Sequence, residues 1–341
     1  MINKILEKLY NFNFINKFEG LKLINEVYNN KLNNNKIISF VISIKIRGYY
    51  LEEILGFVKI LLKNTKRVIK PNYLFSDIVG TGGDNINSIN ISTISAFISS
   101  IYGIKILKHG NYGVSSFSGS FDILSKFNIN LNVNSSEIIN ILNKFGIFFI
   151  TASKYNKIFN KIILIRKKIK SSTIFNIVGP LINPFKPPVV LIGVNDIKLI
   201  MIIIKILKIL KYKNAAVVHG GGMDEVAIHS NTYISELKKN YIITYQLEPK
   251  LIGLKKYPLN KILNSNKKKN YILFKNILKG KGNSIHNKVI SANVSLLLKL
   301  LGKENLVKNT KVILKIIKSG YSIDKINMFL KKEIFFNENN T

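Results

Sequence analysis

The spacing of apolar residues changes once along the chain, and the change divides it. Over residues 1–70 they recur at helical period: Ile2, Ile5, Leu6 and Leu9 form one stripe, and residues 51–62 carry a second after Arg47-Gly48. No strand-like alternation interrupts this block, so it predicts a small all-helical unit. Pro71-Asn72 ends it. Beyond it, short apolar runs at 77–79, 96–102 and 104–107 alternate with helix-period segments, which predicts βαβ units around a mainly parallel central sheet flanked by helices. Residues 122–127 and 135–170 have helical period, and residues 189–194 and 215–218 read as strands flanking a long apolar helix. Residues 289–301, with Asn293 inside an apolar helix, and 312–317 read as buried segments. The expected fold class is α/β, with a helical domain over 1–70 and a larger α/β domain over 71–341.

Within that pattern one stretch stands out: DIVGTGGDNINSINIST at residues 77–93. A buried strand runs into Gly80, Gly82 and Gly83, and a helix begins near Asn90. Glycines allow positive φ and close backbone approach, so successive N–H groups and a helix N-terminus can face one anion. The loop is not a P-loop, because no Gly-Lys-Ser/Thr follows, and it is not the dinucleotide G-x-G-x-x-G. A tight strand-to-helix turn without a ligand has the same signature. Sites in parallel sheets lie at the C-terminal ends of strands, where this loop falls.

The next motif is KHGNYGVSS at residues 108–116. Lys108 can neutralise a phosphate, Asn111 can bond a ribose or an aromatic ligand, and Gly110 and Gly113 keep the backbone accessible. Ser115, Ser116, Ser118 and Ser120 add hydroxyls, although a serine-rich turn before a helix is often only a cap. Arg166 is one of three arginines in a chain that uses lysine almost everywhere else, which favours bidentate recognition of a carboxylate or phosphate. The proline-rich FNIVGPLINP at 175–184 reads as a rigid hinge between domains, and the Lys- and Asn-rich residues 255–270 as a surface connection. HGGGMDE at 219–225 delivers adjacent carboxylates, Asp224 and Glu225, after a glycine turn, as a hard divalent cation shared with phosphates requires.

Composition narrows the function classes. The 341 residues are 47% hydrophobic, enough for a substantial packed core. A net charge of +34 would ordinarily indicate nucleic acid. Here lysine, asparagine and isoleucine are over-used in every segment, the imprint of AT-rich coding, so the charge is a background field and not a local binding patch. No specific nucleic-acid partner is expected. The absence of cysteine excludes disulfides and thiolate chemistry. No run reaches the roughly 18 apolar residues of a membrane span, and the N-terminus lacks a signal-peptide pattern; a soluble, cytoplasmic protein is expected.

Taken in order, GTGGD (80–84), NIST (90–93), KHGNYGVSS (108–116), FNIVGPLINP (175–184) and HGGGMDE (219–225) resemble the anthranilate phosphoribosyltransferases, with RGYYLEEILGF at 47–57 extending the likeness towards the N-terminus. The resemblance implies that helices near 160–185 join the N-terminal helical domain, and that the enzyme is a homodimer; association with anthranilate synthase is not implied. It also implies two substrates, anthranilate and phosphoribosyl pyrophosphate, with Mg²⁺ as cofactor, two ions per monomer. Carried over by residue, the phosphoribosyl pyrophosphate site comprises Gly80, Gly83, Asp84, Ser88, Asn90, Ile91, Ser92, Thr93, Lys108, His109, Gly110, Asn111, Tyr112, Gly113, Val114, Ser115, Ser116 and Ser120. Ser92, Asp224 and Glu225 match metal ligands, and Gly80, Asn111 and Arg166 match the anthranilate site. No acid or base residue is implied, since an aromatic amine is uncharged in neutral solution and catalysis rests on positioning and electrostatics. Tyr112-Gly113 replaces the family's usual Arg-Ala, and Asn156-Lys157 its His-Pro in a loop close to anthranilate, which implies weaker affinity or slower turnover than is typical. Two other readings remain open on the residues: a pyrimidine nucleoside phosphorylase of related fold, which would not need the Asp-Glu pair, and a non-catalytic nucleic-acid binder.

Overall fold

The computed structural model describes residues 1–84, 86, 88–111, 120–127, 129, 131–263 and 267–321. Four helices open the chain: α1 (Ile2–Tyr10), α2 (Lys17–Tyr28), α3 (Asn34–Arg47) and α4 (Leu51–Lys63). Asn16 and Asn33 begin α2 and α3 by accepting N–H bonds from the first turn, and Glu19 closes a capping box on α2. Helices α2 and α4 approach closely because Gly20 and Gly56 sit at their contact; a Cβ on Gly56 would run into the Lys17 carbonyl. Arg47 and Glu53 form a buried ion pair beside this contact, with Glu53 also accepting from Ile15 N–H at 2.8 Å. Burial outweighs the attraction of Arg47 and holds the Glu53 carboxyl above its ordinary range.

The rest of the chain builds one seven-stranded sheet. β1 (Ser76–Gly80), α5 (Ile91–Tyr102), β2 (Ile106–Gly110), α6 (Ser120–Leu124), α7 (Ser135–Phe145), β3 (Ile147–Thr151), α8 (Ala152–Tyr155), α9 (Ile158–Ile169) and α10 (Ile174–Val178) come first. β4 (Val189–Gly193), α11 (Leu199–Ile209), β5 (Asn214–His219), β6 (Thr232–Lys238), β7 (Tyr241–Leu247), α12 (Lys267–Leu278), α13 (Ser284–Leu300) and α14 (Leu306–Ser319) follow. The spatial order is β3-β2-β1-β4-β5-β6-β7, with β1 to β5 parallel and the β6–β7 hairpin antiparallel at one edge.

Helices cover both faces, and the strands alternate between two buried clusters. Ile78, Val189 and Leu191 join the cluster with α5 and α13, whereas Val79, Val190 and Ile192 join the one containing α1 to α4 and α9 to α11. Burial on both faces explains why β4 reads as an unbroken apolar run. The registers Gly80↔Gly193 and Gly110↔Thr151 bring the C-terminal ends of the parallel strands together at one edge.

Two expectations are corrected. Residues 135–170 are not helical throughout: β3 intervenes, entered through Gly146 at φ +75°. The five residues IFFIT, four of them buried, are too few for periodicity to distinguish a strand from a helical turn. The stretch 255–270 is not wholly surface, because Ile262 and Asn270 are buried. FNIVGPLINP, read as a rigid hinge, forms α10 and a short 3₁₀ turn with Phe175, Val178, Leu181 and Asn183 buried. The apolar run 96–102 is the second half of α5, and the β6–β7 hairpin had no counterpart in the sequence pattern. Among the described residues no helix is long and apolar enough to cross a membrane.

Candidate active site

Gly82 and Gly83 adopt φ +62° and +72°, the left-handed conformation expected for a loop that presents its backbone. Asn195 Nδ2 donates to the Gly83 carbonyl at 3.1 Å and Asn176 Nδ2 to the Thr81 carbonyl at 3.1 Å, so the loop is braced from β4 and α10. Behind it α5 begins at Asn90, whose side chain makes no cap bond but accepts from Asn270 Nδ2 at 2.8 Å. Of its first amides, those of Ile91 and Thr93 already donate to the Ile89 and Asn90 carbonyls, so what this N-terminus offers an anion is chiefly its dipole.

The acidic residues reach the same place from the far side. A Cβ on Gly80 would run into the Asp224 carboxylate, and one on Gly193 would coincide with the Asp224 carbonyl oxygen. The turn carrying Asp224 therefore lies in space that two missing side chains leave at the ends of β1 and β4. Asp224 Oδ2 accepts from Gly82 N–H at 2.6 Å, fastening turn to loop. Asp84, Asp224 and Glu225 each place a carboxylate oxygen within 4.8 Å of the others. Asp84 is a member the sequence assigned only to the phosphoribosyl site.

Burial first, and then Asp224, pushes Asp84 up to about 7; burial followed by Asp224 and Asp84 raises Glu225 well above its ordinary value, and burial raises Asp224. Glu225 Oε2 is buried without a hydrogen-bond partner among the described residues. Clustered, partly unsatisfied carboxylates are a donor set suited to a hard divalent cation, so Mg²⁺ fits here. Because these carboxyls hold protons more tightly folded than unfolded, their contribution to stability is greatest at low pH. It declines as pH rises from about 4 to about 7. Added Mg²⁺ should accordingly raise the melting midpoint more at about pH 8 than at about pH 5, and a differential scan at both pH values checks this. An equal shift at both would count against a cation on this cluster.

Lys108 is 1% exposed, and its Nζ donates to the Ile78 carbonyl and, at 3.3 Å, to Ser92 Oγ. It runs beneath the glycine loop as an internal cation facing the acids. Burial lowers it to about 8, opposed by attraction from Asp77, Asp224 and Glu225. Its neighbour His109 is brought down to about 4 by burial, and so is neutral; Nδ1 meets the Gly179 carbonyl at 3.1 Å and must be the protonated nitrogen. Arg166, on α9, is 7% exposed, its Nε lacks a partner among the described residues, and burial brings the guanidinium down to about 10.

One cavity unites these groups. Gly80, Gly83, Asp84, Ser88, Asn90, Ile91, Ser92, Lys108, His109, Gly110, Asn111, Ser120, Arg166, Asp224 and Glu225 all line it. Thr93 stands behind, its hydroxyl donating to Ser120 Oγ at 2.8 Å. Tyr112, Gly113, Val114, Ser115 and Ser116 lie outside the described residues. Asn156 turns away from the cavity: it is buried and donates to the Leu61 carbonyl at 2.8 Å, tying α8 to α4. Ala152, Phe159, Phe175 and Pro180 add an apolar wall to the same cavity as Arg166 that was not assigned to the site, and Gly193 and Asn176 were also missed. Phe175, Asn176 and Pro180 had a sequence signal in the FNIVGPLINP motif; Ala152 and Phe159 had none beyond lying in the segments nearest Arg166.

A glycine anion loop and an acidic cluster at the ends of parallel strands suit a phosphorylated donor held with a divalent cation, and the class is that of the glycosyltransferases: residues 72–323 match the family model described as "Glycosyl transferase family, a/b domain". Anthranilate phosphoribosyltransferase of Buchnera aphidicola subsp. Schlechtendalia chinensis is 47% identical over 325 residues, covering 95% of this chain and 98% of that protein. The Serratia proteamaculans enzyme of the same name is 44% identical over 322 residues, 94% of this chain and 97% of its own. A solved anthranilate phosphoribosyltransferase from Saccharomyces cerevisiae, in complex with PRPP and Mg, superposes with a TM-score of 0.84 at 25% identity, covering 97% of each chain. The chain belongs to the anthranilate phosphoribosyltransferase family.

Proposed function

We propose that the protein transfers the 5-phosphoribosyl group from phosphoribosyl pyrophosphate to the amine of anthranilate, giving N-(5-phosphoribosyl)anthranilate and diphosphate, the second step from chorismate to tryptophan. The observation that carries this reading is the convergence of the glycine loop, the α5 N-terminus, the three acids and Arg166 on one cavity. The loop amides, Ser92 and the α5 N-terminus bind the anionic donor. Asp84, Asp224 and Glu225, with Ser92, hold Mg²⁺, taken here as two ions, which when bound supplies positive charge to the departing diphosphate. Arg166 takes the anthranilate carboxylate, and the wall of Ala152, Phe159 and Pro180 takes its ring. That arrangement aims the amine at the ribose carbon. An aromatic amine is uncharged in neutral solution and needs no base, so positioning and charge do the chemistry.

The same reading treats residues 1–70 with 160–185 as a domain that meets the α/β domain across this cavity, in a cytoplasmic homodimer. Exposed Phe12, Phe14, Phe18, Ile46 and Tyr50 near the ends of α1 to α4 supply an apolar face for the partner copy.

The reading is tested by anthranilate fluorescence with phosphoribosyl pyrophosphate and Mg²⁺, repeated with EDTA; loss of signal only with the metal is expected, and no loss under saturating conditions rejects it. Arg166→Lys should raise KM for anthranilate about tenfold, the size of a lost charge-assisted bond, with a smaller effect on the donor. Equal effects on both substrates would remove the carboxylate role.

A further inference from the structure

Asn293 is a polar residue at the centre of α13, where its neighbours are apolar and buried. An isolated amide at such a position costs stability unless fully bonded. Here it is bonded, and outside its own helix to one residue. Its Oδ1 accepts from Val226 N–H at 3.0 Å, and its Nδ2 donates to the Val226 carbonyl at 3.1 Å and to Val289 within the helix at 2.9 Å. Both backbone groups of Val226 are thus gripped by a single side chain. Val226 follows Glu225 directly, so its peptide plane sets the direction in which Glu225 leaves the chain. Helix α13 also packs along α5, the helix that carries Ser92.

The other end of the acidic turn is held by a second side chain. His219, the last residue of β5, meets the Val194 carbonyl through Nδ1 at 2.9 Å. A carbonyl can only accept, so Nδ1 carries the proton and Nε2 is left to accept the Gly222 N–H at 3.2 Å. Gly222 has φ +97° and Gly221 +56°, in a turn closed by reciprocal Gly220–Met223 backbone bonds to which the His219 contact adds a side-chain hold. Neither His219 nor Asn293 belongs to the carboxylate cluster.

We propose that Asn293 and His219 are positioning residues for the cation site, clamping the segment that carries Asp224 and Glu225 after and before the acidic pair. The inference rests on the reading of Asp84, Asp224 and Glu225 as that site. Outer partners of this kind are worth about 10- to 100-fold in metal affinity.

The test uses Asn293→Leu, close in volume, and His219→Phe, which keeps a ring without nitrogens. Mn²⁺ binding in the presence of phosphoribosyl pyrophosphate is followed by electron paramagnetic resonance, beside thermal unfolding and steady-state kinetics. In each folded variant the half-saturating Mn²⁺ concentration should rise by about tenfold or more, with KM for anthranilate unchanged. A folded variant that binds Mn²⁺ as the wild type does overturns the proposal, whatever its melting temperature. If Asn293→Leu fails to fold, His219→Phe at the strand end decides; failure of both to fold also overturns it, because the residues would then support the fold as a whole. A wild-type protein that neither consumes anthranilate nor binds Mn²⁺ refutes the transferase reading, whereas one that does both alongside unaffected variants refutes only the clamp.

Discussion

Replacing Asp224 with Asn and Glu225 with Gln together should lower kcat by about a thousandfold or more, the consequence of removing several kcal/mol of charge stabilisation. Stability should be unchanged or higher. Asp224 Oδ2 accepts from Gly82 N–H, a bond an amide oxygen can also accept, so loop and turn stay fastened. Glu225 Oε2 has no partner to lose among the described residues. Both carboxyls are raised by burial, and Glu225 by Asp224 and Asp84 as well, so near neutral pH they weaken the metal-free fold, and neutral isosteres remove that cost. Anthranilate fluorescence together with a thermal melt separates the two effects. Turnover near that of the wild type would eliminate the acids from the diphosphate site.

The second large effect is expected at a residue with no chemistry of its own. Gly193→Ala puts a methyl group where the Asp224 carbonyl oxygen lies, and the obstruction is backbone, which cannot rotate away as a side chain can. The acidic turn must lift from β1 and β4, at a cost of about 2–3 kcal/mol typical of overpacking, and the cation site must open with it. Gly80→Ala meets the Asp224 carboxylate, a side-chain group, so it should impair cation binding with a smaller loss of stability. Urea denaturation ranks the two. Wild-type stability and turnover in Gly193→Ala would show that the turn does not occupy this space in solution.

Legibility in the sequence followed the range of the interaction. The glycine loop was readable because Gly82 and Gly83 meet a local backbone demand, and the helical character of residues 1–70 because stripes such as Ile5, Leu6 and Leu9 are periodic within one element. The same period concealed β3, since IFFIT is too short to show either pattern. Asn293 was visible as an anomaly within an apolar helix, but its partner Val226 was not. Gly193 gave no signal, because it is an ordinary end to a strand until register sets it opposite Gly80.

The arginine argument shows the same limit within one residue type. Scarcity marked Arg47 and Arg166 equally, yet Arg47 is spent on the buried pair with Glu53 and the Phe14 ring, while Arg166 faces the cavity. Lys108, read as a cation for phosphate, lines the cavity, and its position on β2 also makes it a counter-charge for the acids.

By itself the sequence determined the residue chemistry and part of the element order: which long periodic segments are helical, where glycines permit open loops, and which side chains carry charge. These are properties of short stretches of chain. Only the tertiary structure decided that Asp84 joins Asp224 and Glu225, that Gly80 and Gly193 make room for them, and that Asn156 serves the scaffold. Each depends on strand register or helix packing between distant segments, and those are fixed by the burial of the whole core.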